Sequence, residues 1–98
     1  MQQDQHKTKV IFRKWLSGII ALFPELPGTN DPYTCDSYMH VGQHSNASVD
    51  LMGITIPAKP EEYADLLHEL ESIGYNVQVA YKFTRKDLQK RIKATKYS

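Results

Sequence analysis

The chain has 98 residues, 41% of them hydrophobic and 23% charged, with a formal net charge of +1. That is the length of a single domain with one modest core, and the mix excludes a disordered chain. The longest apolar run, Ile19 to Phe23, is strand-length and too short to span a bilayer as a helix, so no membrane role is expected.

Residues 1–8 read as a polar lead-in, without the apolar stretch of a signal peptide, so the cytoplasm is the expected compartment by default. Val10 to Trp15 is rich in β-branched and aromatic residues and predicts a strand. Leu16-Ser17-Gly18 turns the chain, and Ile19 to Phe23 returns as a second strand that Pro24 ends. Residues 24–34 form a proline-rich surface loop. Cys35 to Val41 predicts a third strand, with Tyr38 and His40 on one face and Cys35, Ser37 and Met39 on the other.

Gly42 to Asn46 is turn chemistry, and Asn46 is a candidate cap for one helical turn through Asp50. A short edge strand is expected within 52–57. Pro60 to Ile73 predicts the main helix, with Tyr63, Leu66, Leu67, Leu70 and Ile73 in one apolar stripe and Gly74 as its stop. Val77, Val79, Tyr81 and Phe83 alternate with polar or small residues in a last strand. Thr84 then caps a terminal helix in which Leu88 and Ile92 are the strong apolar pair.

The expected fold is therefore α+β. It has two layers: a mostly antiparallel sheet of about four strands, one amphipathic helix across a face, and a short basic C-terminal helix. Residues 9–83 form the domain and 84–98 a basic tail.

The runs IIALFPELPG, YTCDSYMHVGQH and PAKPEEYADLLHELESIGY, in that order, resemble a family of small uncharacterised bacterial proteins of gut anaerobes and their plasmids, integrated elements and phages. The similarity covers roughly residues 9 to 80, and Ser37 to His44 is its most distinctive part. The resemblance implies a shared fold and a mobile-element or phage setting, and transfers no mechanism.

Tyr38, His40, Gln43, His44, Ser45 and Asn46 are the candidate ligand-binding residues, because they offer imidazoles, amides and hydroxyls suited to a small anion. Cys35, His40 and His44 spell C-x4-H-x3-H, but in a continuous strand Cys35 and His40 lie roughly 16 Å apart on opposite faces, too far for shared zinc. Asp36, Tyr38, His40 and a serine could be arranged as acid, base and nucleophile, yet no G-x-S-x-G elbow or phosphate loop accompanies them. No cofactor or catalytic residue is assigned.

Charge is segregated. Residues 1–15 carry Lys7, Lys9, Arg13 and Lys14 against Asp4, and residues 16–81 carry nine acids against Lys59. Residues 82–98 carry seven bases against Asp87. Arg85, Lys86, Lys90, Arg91 and Lys93 are thus candidate phosphate contacts on the tail. The acidic helix face around Asp65 and Glu69 is a candidate dock for the tail of a second copy, which would make a homo-oligomer.

The expectation is a non-enzymatic binding or accessory protein acting through a protein partner or small ligand. A nucleic-acid-binding regulator using the basic ends is the alternative. A small phosphate-ester enzyme or metal protein centred on His40 and His44 ranks third.

Overall fold

Four consecutive residues of the first strand, Val10 to Arg13, are buried, which happens only when both faces of a strand are covered. In the computed structural model, which describes residues 7–15, 18–39 and 43–96, that strand is β1, Thr8–Trp15. It pairs antiparallel with β2, Gly18–Phe23, through Ile11↔Leu22 to Trp15↔Gly18, the hairpin expected. β3, Thr34–Met39, continues the sheet antiparallel to β2, and β4, Gln43–Ser48, pairs antiparallel with β3.

The other edge of β1 is shared. Arg13 and Lys14 pair antiparallel with β5, Ile56–Pro57, while Thr8 to Ile11 pair parallel with β6, Val77–Ala80. Six strands thus replace the four or so expected, in the order β4-β3-β2-β1 with β5 and β6 beyond. The parallel pairing follows from the connection. β5 runs back along β1, and the helix α1, Pro60–Ser72, then crosses one face to deliver β6 beside the other half of β1.

The loop after β2 folds back onto β3 and β4. Leu26 O accepts the Asp36 N–H at 2.9 Å, and a Cβ at Gly28 would lie 2.3 Å from Asn46 Cβ and 2.6 Å from Cys35 O. Only glycine fits between these strands.

Each face of the sheet has its own core. Val10, Phe12, Phe23 and Tyr38 meet Tyr63, Leu66 and Leu70 of α1, with Phe12 and Tyr63 stacked at 4.4 Å. α1 begins as expected: Pro60 opens it, and Glu62 Oε1 accepts the Lys59 N–H at 2.8 Å. It ends at Gly74, whose φ of 114° is left-handed, where the Tyr75 N–H donates to Leu70 O. Ile73 departs from the predicted stripe: it lies past the last turn and is 53% exposed.

On the opposite face Ile11, Ile20, Leu22 and Cys35 are closed over by Leu51 and Met52 of a 3-10 turn, Val49–Gly53, and by Phe83. Ser48 caps this turn, its Oγ accepting the Asp50 N–H, in the role expected of Asn46. A two-layer reading contains only the first of these cores.

Leu70 is fully buried mid-helix, so Leu70→Ala should cost about 2–5 kcal/mol of unfolding free energy. Ile73→Ala should stay within about 0.5 kcal/mol. Urea denaturation of the two variants checks both, and equal losses would mean that the helix packs on a different face.

A candidate binding groove beside the C-terminal helix

The last described element is α2, Arg85–Lys96, whose attachment is polar. Thr84 Oγ1 accepts the Asp87 N–H, and Asp87 Oδ2 accepts the Thr84 N–H at 2.9 Å, a reciprocal cap. Asp87 Oδ1 pairs with Lys9 Nζ of β1 at 2.8 Å, and the carboxylate is fully buried. Arg91, 3% exposed, donates from Nε to Pro32 O at 2.7 Å and from Nη1 to Pro24 O at 2.5 Å. Its guanidinium carbon lies 5.1 Å from the centre of the Phe83 ring.

Sequence reasoning assigned this docking to Leu88 and Ile92. Leu88 is half-buried and Ile92 is 42% exposed, so the helix is held chiefly through Asp87 and Arg91. One signal was available. Thr84-x-x-Asp87 has the spacing of a capping box, and Asp87 is the sole acid of a basic tail. Arg13 was likewise counted as a terminal charge. It is 7% exposed, donating from Nε to Thr55 Oγ1 at 2.8 Å and from Nη2 to Met52 O at 3.0 Å and to Thr55 O.

Between α2 and the 3-10 turn lies an open groove of about 460 Å³. Its walls are Tyr33, Val49, Met52, Phe83 and Leu88, with Arg85 beside them. Arg85 is exposed and makes no hydrogen bond or ion pair among the described residues. Lys86, Gln89, Lys90 and Lys93 share the outer side of α2 around a shallower depression.

The five cations expected on the tail are thereby separated. Arg91 is held by two backbone carbonyls and is 3% exposed, so it is not an outward-facing phosphate contact. Lys90 pairs with Glu25 at 2.6 Å. Arg85, Lys86 and Lys93 remain exposed. The acidic face of α1 is partly committed too, since Glu69 Oε2 accepts the Tyr38 hydroxyl at 2.5 Å and Glu62 pairs with Lys14 at 2.8 Å.

The ligand set predicted around the second histidine fares differently. The segment read as a turn is β4, a strand from Gln43 onward. Tyr38 is 2% exposed and faces α1, so it is core rather than a ligand contact. Asn46 pairs with Asp36 and Ser45 with Ser37, which puts these two exposed residues on opposite faces of the sheet. They do not converge. His40 lies outside the described residues, as do the side chains of Gln43 and His44. Cys35 is on the face away from Tyr38, and burial pushes its thiol up to about 11. Among the described residues no group of three His, Cys, Asp or Glu side chains could hold a metal ion.

Comparison with models of known protein families, with curated proteins and with solved structures returned no significant match. The functional reading therefore rests on this geometry.

Burial by itself would push the Asp87 carboxyl up, but Lys9 and the Thr84 donors outweigh it and hold the group below the ordinary carboxylate range. A carboxylate depressed in the folded state stabilises fully above its unfolded value of about 3.9. That contribution is lost as pH falls through the lower folded value. Asp87→Asn should cost about 2–4 kcal/mol at pH 7, less than a fully buried pair because Lys9 keeps 21% exposure. Denaturation midpoints should also fall less steeply for the variant than for the parent between about pH 5 and pH 2. Parallel acid limbs would show that Asp87 does not carry this dependence.

Proposed function

We propose that this is a non-enzymatic binding protein, cytoplasmic and of a mobile-element or phage-related setting, that holds a small ligand in the groove beside α2. The setting is supported by the three runs in the chain that resemble proteins of such elements. The binding role is supported above all by the groove: about 460 Å³ of space with apolar walls, within the range of small-molecule sites. Met52, Phe83, Leu88 and a half-exposed Tyr33 come from separate parts of the chain and stand around this one open space.

The uncharged dye N-phenyl-1-naphthylamine tests the reading, because its fluorescence rises in apolar sites. One saturable site is expected, lost in Val49→Trp, which fills the groove from the turn and leaves the far-UV circular dichroism unchanged. A linear, non-saturating response, or one that Val49→Trp leaves intact, would overturn it.

The outer side of α2 favours a second reading, as a nucleic-acid-binding regulator. Lys86 and Lys93 project there without partners among the described residues, and Arg85 stands at the rim. If these three cations make the phosphate contacts, the logarithm of DNA affinity should fall against that of salt concentration with a slope of about −2 to −3. Lys86→Glu with Lys93→Glu should abolish retention on DNA. A slope near zero, or binding unaffected by the double change, would remove this reading.

A further inference from the structure

We infer that the ligand of this groove is a small amphipathic anion, an alkyl or aryl body carrying a carboxylate, sulfonate or phosphate. The inference rests on the groove being a binding site, and it specifies the chemistry. The two needs of such a ligand are met by different parts of one space.

The apolar half is supplied by the walls. Met52 and Val49 come from the 3-10 turn, Phe83 and Leu88 from the approach to α2 and its first turns, and Tyr33 from the loop before β3. Methionine and aromatic walls accommodate alkyl or aryl groups of varied shape.

The charge is supplied by arginine alone. Of the residues lining the groove, Arg85 and Arg91 are the charged ones. Arg91 gives one N–H of Nε to Pro32 O and one of Nη1 to Pro24 O and is 3% exposed, so it adds charge to the groove wall while presenting little surface to a ligand. Among the described residues Arg85 keeps all five donors unpaired, in the fork that matches carboxylate and phosphate. It is also the first residue of α2, so the positive end of the helix dipole adds to its field.

The acid that would ordinarily cancel this field is turned away. Asp87 sits in the same helical turn, but one of its oxygens takes Lys9 Nζ and the other the Thr84 N–H. Asp50, on the 3-10 turn, does not line the groove. Lys82 and Lys86, on either side of Arg85 in the chain, raise the local potential further. A neutral apolar ligand would leave Arg85 unused, and a cationic one would be repelled.

The test compares two dyes on one aryl frame with the full chain. 1-Anilinonaphthalene-8-sulfonate carries a sulfonate that N-phenyl-1-naphthylamine lacks. The sulfonate dye should bind about tenfold more tightly at low salt, the size of one charge-assisted contact, and the advantage should shrink as salt rises. Arg85→Gln should remove most of that advantage, read as the ratio of the two dyes' affinities, while Lys86→Gln should leave the ratio nearly as it was. Equal affinities for the two dyes would overturn the anion preference and leave the groove as a site. Failure of both to bind saturably would overturn site and preference together. An advantage that survives Arg85→Gln would place the anion contact elsewhere and sink the inference. Displacement of the sulfonate dye by the peptide acetyl-Glu-Phe-Glu at lower concentrations than by dodecanoate would overturn the small-molecule assignment in favour of an acidic protein segment.

Discussion

β1 cannot give either of its faces to water, and the rest of the molecule is arranged around that constraint. Val10 and Phe12 point to one side and are covered by α1. Ile11 points to the other, flanked on the same face by Lys9 and Arg13, two cations in a place where cations are costly. Both are satisfied by what covers them. Arg13 draws in the 3-10 turn through the Met52 and Thr55 carbonyls, and Lys9 draws in α2 through Asp87. Those two elements are the walls of the groove, so one strand face sets the distance between them. An ordinary all-apolar strand would cover its core equally well without specifying where the walls stand.

The segregation of charge along the chain has a related outcome. Basic ends and an acidic middle suggest docking between molecules, but much of the charge is paired within this one. Lys14 meets Glu62 and Lys90 meets Glu25, each joining an end of the chain to its centre. These two pairs are exposed and contribute little to stability; they orient the ends. The exposed cations Arg85, Lys86 and Lys93, unpaired among the described residues, lie on α2, where both proposed modes of binding lie.

Elements whose cause is local were legible in the sequence. The β1–β2 hairpin, the third strand and α1 with its proline start and glycine stop are written in adjacent residues, and so is the helical tail. The site was much less legible. Gln43 to Ser48 has poor intrinsic strand preference and becomes β4 because the edge of β3 is there to pair with it. The parallel pairing of β6 depends on where α1 sets the chain down, which no local pattern records. Arg13 and Arg91 look like solvated charges until the carbonyls that receive them, 39 to 67 residues away in the chain, are in place. The groove is a product of such distant contacts, so its lining could not be assembled from spacing.

Cys35 gives the fold an internal clock. Its side chain has no exposure, and its thiol, pushed up to about 11, is almost entirely protonated at neutral pH. Neither an oxidant nor an alkylating reagent can reach it while β2, β3 and the 3-10 turn stay together. Since the chain has one cysteine, any modification records a single kind of event: the parting of the sheet from the cover that also forms the groove. A ligand that bridges the two groove walls would slow that clock, and the natural sequence therefore already carries a reporter of occupancy.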